Sequence, residues 1–139
     1  MVYLDTSALV KLYVDEPSRD AVAAAVAKEK VVATHEIAYL EAHSVFVRSL
    51  REARITEGDF ERLKATFVRD WPNYAVVRLS ADLAEHAVRL IEGFTLRAYD
   101  ALHLASADWL ARESGEAVVF ACFDRHLNQA AALVGLKTL

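Results

Sequence analysis

Four short, continuous, mostly apolar runs set the terms on which this chain can fold: Val2-Tyr3-Leu4, Val31-Val32-Ala33-Thr34, Ala75-Val76-Val77-Arg78-Leu79 and Ala117-Val118-Val119-Phe120-Ala121. Between them, apolar residues recur three and four apart, the period of an amphipathic helix. Short runs with no polar alternation read as strands buried on both faces, and strands that alternate with helices build a parallel sheet covered on both sides. The periodicity does not fix the order of the strands.

The expected helices cover 8–14, 18–27, 36–54, 57–71, 81–94, 97–113 and 125–134, with a short last strand within 136–139. Thr56-Glu57-Gly58-Asp59 resembles a capping box, Ser80 is a good N-cap, and Gly115 and Gly135 are good helix ends. A length of 139 residues suits one domain with one core. The first residues lack the basic region and long apolar region of a secretory leader, and no apolar stretch approaches the ~18 residues of a membrane span. A single cysteine, Cys122, leaves no intrachain disulfide and no cysteine-rich metal site. These features lead to the expectation of a cytoplasmic protein.

Four carboxylates stand in unusual places. Asp5 and Asp124 each follow an apolar run and precede a helix, which puts them at the carboxyl end of a strand, the edge where open α/β sheets bind ligands. Either can equally be a simple N-cap. Glu41 lies in a helix with Ile37 and Val45 four residues to either side, so it is on an apolar face. Arg48 shares that face but is about two turns, ~10 Å, away, too far for a direct pair. Asp100 has Leu104 at i+4 and Ala107 at i+7; Arg97 at i−3 is a candidate ion-pair partner. His103 can be a ligand, but a histidine bonded to backbone is the reading favoured by the sequence.

A buried carboxylate needs a partner. Acids with no histidine or cysteine framework suit a hard divalent cation such as Mg2+ or Mn2+, and two such ions ~4 Å apart can clamp the oxygens of an in-line phosphoryl displacement. The formal charge of −4 is not that of a protein gripping nucleic acid by bulk electrostatics. Setting the four acids aside leaves 16 acidic against 16 basic residues, so a phosphate-bearing substrate is compatible with the rest of the chain.

Leu4-Asp5-Thr6-Ser7-Ala8-Leu9, Glu41, Tyr99-Asp100-Ala101-Leu102-His103-Leu104-Ala105-Ser106-Ala107 and Phe123-Asp124-Arg125 together resemble the PIN domain, in particular its VapC-like toxin ribonucleases. The resemblance runs over nearly the whole chain as a single domain, 1–139. It implies a three-layer α/β/α fold around a short five-stranded parallel sheet of order 3-2-1-4-5, with Asp5 and Asp124 adjacent at its centre. It also implies Mg2+- or Mn2+-dependent cleavage of RNA, a homodimer, and inhibition by a small antitoxin. On this reading Asp5, Glu41, Asp100 and Asp124 hold the metal, directly or through water, with Ser7 and Thr6 supporting them. Arg48, Arg97 and Arg125, the basic residues nearest these acids in sequence, are candidates to steer phosphates. Cys122 departs from the family, which often has Thr or Ser there; it reads as a small buried residue.

Three other readings exist, one of which, a receiver-type phosphoacceptor domain, would leave the in-helix acids Glu41 and Asp100 unexplained. Haloacid-dehalogenase-like phosphatases also place an Asp after the first strand but want a second one two residues on, where this chain has Ser7. A PIN-like module that binds RNA or protein without turnover would not need all four acids. Finally, Tyr39, Leu40, Phe46, Val47 and Leu50 spread around helix 36–54, and Phe60, Leu63, Phe67 and Trp71 stripe helix 57–71. So many apolar residues suggest a protein-binding surface, unless they pack on each other.

Overall fold

The computed structural model describes all of residues 1–139. Strands β1 (Val2–Leu4), β2 (Val32–His35), β3 (Ala75–Val77), β4 (Val119–Ala121) and β5 (Lys137–Thr138) form one parallel sheet in the order β3-β2-β1-β4-β5. Val2 is opposite both Val32 and Val119, so the first strand is the centre of the sheet and the strand order reverses beside it.

Side-chain alternation splits β1 between two cores. Tyr3, with Phe120 and Cys122, joins the core under helices α5 (Ala81–Phe94), α6 (Ala98–Ser114) and α7 (Arg125–Leu133). Val2, Leu4 and Ala121 join the core under α1 (Thr6–Leu9), α2 (Arg19–Ala27), α3 (Ile37–Arg51) and α4 (Glu57–Asp70). Helices therefore cover both faces, as three layers.

The capping box at Thr56 is formed in both directions, with Asp59, and Ser80 caps α5 through the Leu83 N–H. Gly115 ends α6 in the left-handed region (φ 66°), a conformation glycine adopts without strain. Some boundaries differ from the sequence expectation. The first helix starts earlier, at Thr6, because Asp5 caps it, and continues as a 3-10 turn over Val10–Leu12. Helix α3 stops at Arg51 rather than 54; Ala53 takes a positive φ of 53°, a reversal that no glycine announces. Strand β3 stops at Val77, because the Leu79 N–H turns to the Glu36 carboxylate instead of a neighbouring strand.

The apolar stripes of α3 and α4 mostly meet each other. Phe67 is fully buried, with the rings of Tyr13, Tyr39, His43, Phe46 and Trp71 all within 5.5 Å of it centroid to centroid. Phe46 is also fully buried, which removes it and Phe67 from any partner surface. Leu40 and Val47 stay exposed on the outer side of α3.

Candidate functional site

The carboxyl ends of β1 and β4 place Asp5 and Asp124 on one edge of the sheet, and each begins a helix. Asp5 accepts the Ala8 N–H (2.8 Å) and the Ser7 hydroxyl (2.7 Å to Oδ1). Asp124 accepts the Leu127 N–H (2.9 Å). Both capping roles are thus real, and they leave carboxylate lone pairs over for other work. Ser7 ties the two loops together, since its oxygen also accepts the Phe123 N–H at 3.0 Å.

Glu41 reaches the same edge from α3. Its Oε1 accepts the Thr6 hydroxyl (2.6 Å) and His103 Nε2 (3.0 Å). Burial works to raise its pKa, but the hydrogen bonds from His103 and Thr6 outweigh it and hold the carboxylate below its usual range. Asp100 stands in the first turn of α6 and accepts from Arg97 Nε at 2.7 Å. The same guanidinium approaches Asp124 at 3.8 Å. Short links thus run between the four acids: Thr6, the residue after Asp5, donates to Glu41; Ser7 donates to Asp5 and accepts from Phe123, the residue before Asp124; and Arg97 contacts both Asp124 and Asp100.

Asp5 is the anomaly. It is 6 % exposed, no cationic side chain forms an ion pair with it, and burial raises its pKa despite the opposing pull of His103 and Ser7. A buried carboxylate with no countercharge is costly. The donor set is all hard oxygen, and Arg97 supplies the positive charge at the outer acids while being largely exposed and free to swing away. These residues fit a hard divalent cation. No three histidine, cysteine or acidic side chains are gathered closely enough to cage an ion as they stand.

Thr6 and Ser7 both contact the acids, as expected, and so does Arg97. Arg48 lines a groove on α3 with Leu40, His43, Val47 and Arg51, and Arg125 lines a shallow hollow with Phe123, Asn128 and Leu139; neither pairs with an acid. Cys122 is buried in the core, and its sulfur also accepts the Asp124 N–H at 3.2 Å. A cleft of about 840 Å3 lies apart from the acids against β3, α5 and α6; Asp108 beside it is bonded by His86 and Arg112.

His103 corrects the sequence reading. Its ring bonds no backbone: Nδ1 is 2.9 Å from the Tyr3 hydroxyl and Nε2 faces Thr6 and Glu41. The apolar setting of residues 101–107 pointed to a core position but could not show that Tyr3 and Glu41 meet it there. His35 is a second histidine beneath the site. Its Nδ1 accepts the Ile37 N–H, its Nε2 has no partner, and burial lowers its pKa to about 4.

Because the unfolded ring titrates near pH 6.5, stability from keeping His35 neutral is complete above that pH and is lost as pH falls toward 4, by roughly 2–3 kcal/mol. Urea unfolding at pH 7 and pH 4.5 should show this loss in the wild type. It should shrink in His35→Asn; an equal loss in the variant would mean that another group carries it.

The chain matches the family model described as "PIN domain" over residues 2–133. Ribonuclease VapC45 of Mycobacterium tuberculosis is 28% identical over 137 residues, covering 99% of this chain and 93% of that protein. FitAcB from Neisseria gonorrhoeae superposes with a TM-score of 0.72 at 16% identity, over 100% of this chain and 96% of that one. VapC20 of Mycobacterium tuberculosis, a sarcin–ricin loop cleaving toxin, superposes with a TM-score of 0.67 at 19% identity, over 94% and 95% of the two chains. At those identities the structural likeness speaks for the fold, while the family model covers all four acids and nearly the full length: the chain belongs to the PIN domain family.

Proposed function

We propose that the protein is a divalent-metal-dependent endoribonuclease, the toxin of a toxin–antitoxin pair. The observation that carries this reading is the buried Asp5 carboxylate, without an ion-pair partner, at the sheet's switch point, with Thr6, Ser7 and Arg97 linking its neighbourhood to Glu41, Asp124 and Asp100. Its curated relatives are named ribonucleases VapC45 and VapC49, and the family match sets the phosphatase reading aside.

Asp5, Glu41, Asp100 and Asp124 are the residues that would hold Mg2+ or Mn2+. When bound, the ion supplies an activated water and positive charge against the scissile phosphate. The chain's own residues do the rest. Ser7 and Thr6 fix the Asp5 and Glu41 carboxylates by donating to them. Arg97, once released from Asp100 and Asp124, faces the same edge and is placed to hold an RNA phosphate. Arg125 forms no ion pair with the acids and lines a hollow with Phe123, Asn128 and Leu139, where it serves at most a distal phosphate, and Arg48 stays on the outer face of α3.

The partner is a small antitoxin. Structures resembling this fold include a toxin–antitoxin complex from Klebsiella pneumoniae and VapBC2 from Rickettsia felis bound to promoter DNA. An antitoxin arginine entering the acid cluster would replace the cation's charge and stop turnover. The protein works as a homodimer, and light scattering should give twice the 15.4 kDa chain mass; a strict monomer at high concentration would refute that part. No helix is long and apolar enough to cross a membrane, and the expected place of action is the cytoplasm.

Purified protein should cleave RNA with Mg2+ or Mn2+ and lose all cleavage in excess EDTA, recovering when the ion is restored. Undiminished cleavage in EDTA would rule out the metal mechanism; binding of RNA with no cleavage under any ion would favour the non-catalytic module.

A further inference from the structure

Behind Glu41 lies a polar chain that the proposed reaction does not itself use. Tyr3, fully buried on the central strand, meets His103 Nδ1 at 2.9 Å. His103, 3 % exposed on α6, presents Nε2 to Glu41 at 3.0 Å and to Thr6 at 3.2 Å. Glu41 stands on α3, which packs against the opposite face of the sheet. Three elements that share no backbone hydrogen bond at this point are thus joined through one imidazole.

The atom roles follow from the partners. A carboxylate only accepts, so Nε2 carries the proton it donates to Glu41. In the neutral ring Nδ1 then accepts, and the Tyr3 hydroxyl donates to it; burial holds that phenol protonated by raising its pKa. Tyr3 aims the ring by its contact at Nδ1, and the ring fixes the long, otherwise flexible Glu41 side chain. Stacking on Phe120, with ring centroids 5.7 Å apart, keeps Tyr3 itself in place.

We propose that His103, anchored by Tyr3, is a positioning residue that presets the Glu41 carboxylate for the divalent cation. The inference rests on the reading of Glu41 as a metal ligand, and it assigns His103 no contact with the ion. Residues that orient ligands in this way typically change metal affinity by roughly 10–100-fold when replaced.

Two polar variants separate positioning from packing. A glutamine amide nitrogen reaches about as far as imidazole Nε2, so His103→Gln keeps the donor to Glu41. An asparagine amide reaches only as far as Nδ1, so His103→Asn keeps a partner for Tyr3 and abandons Glu41. Mn2+ affinity, measured by titration calorimetry on the folded, RNA-free protein, should fall at least ~10-fold in His103→Asn and stay within ~3-fold of wild type in His103→Gln. Melting temperatures taken without metal report packing alone. In a Glu41→Gln background, adding His103→Asn should cost no further Mn2+ affinity, because the interaction it removes is already gone. Equal Mn2+ affinities for the Gln and Asn variants, or additive losses in the double variant, would overturn the proposal. Unchanged Mn2+ affinity in Glu41→Gln alone would instead overturn the ligand reading on which it rests.

Discussion

Asp5→Asn should lower RNA cleavage by at least ~100-fold while leaving the fold intact, and Asp100→Asn should do the same. The two halves of this expectation have separate causes. An asparagine at position 5 keeps an oxygen for the Ala8 N–H and the Ser7 hydroxyl, and Asn is as good an N-cap as Asp. It also removes a charge that burial disfavours, so the metal-free melting temperature should hold or rise. For Asp100 the loss is one ion pair with a mostly exposed Arg97, worth about 0–1 kcal/mol. What both variants lose is a negative charge for the cation. Thermal melts with and without Mn2+ should show a stabilising shift in the wild type and a much reduced one in either variant. Full cleavage by the variants would end the ligand assignment, and a strongly lowered metal-free melting temperature for Asp100→Asn would make that residue a structural ion-pair partner instead.

Phe67→Ala should destabilise the protein by about 3–5 kcal/mol, the range for emptying a buried aromatic site. Phe67 is fully buried at the centre of five other rings from the segment after α1, from α3 and from the end of α4. Those rings are held by their own helices and cannot all collapse into the space. Against a typical total stability of about 5–15 kcal/mol, such a loss would bring the variant close to unfolding. Urea denaturation measures it directly, with Val68→Ala as the control: that neighbour is 45 % exposed and should change stability by less than ~0.5 kcal/mol. A cost below ~1 kcal/mol for Phe67→Ala would mean that the α3–α4 layer is not held by this cluster.

The same cluster shows where sequence reasoning stops. The stripe of Phe60, Leu63, Phe67 and Trp71 was legible as a helix face, because period is local. Whether it faces a partner or α3 was not, because that depends on a crossing between helices that no period encodes. Strand order came from the family resemblance rather than from periodicity, and the observed order agrees with it. The caps at Thr56 and Ser80 were readable, being contacts within four residues. The pairing of Arg97 with Asp100 was readable for the same reason, whereas its approach to Asp124 joins distant segments. His103 misled for that reason too: its partners Tyr3 and Glu41 lie far from it in sequence. Glu41 itself could be singled out because an unpaired acid on an apolar face is an electrostatic oddity even in one dimension.

The central place of β1 has a consequence for biosynthesis. Strand β1 takes one neighbour, β4, from more than a hundred residues later in the chain. Asp5 gains its backbone tie to Ala121, and Ser7 its tie to Phe123, only when that last segment exists. At roughly 5–20 residues per second, β4 is synthesised several seconds or more after β1. Until then a growing chain carries Asp5 and Glu41 but no Asp124 to complete the cluster. On the proposed reading, a chain halted before β4 would lack the complete cluster and should not cleave RNA, because the four acids can come together only once that strand has been made and paired with β1.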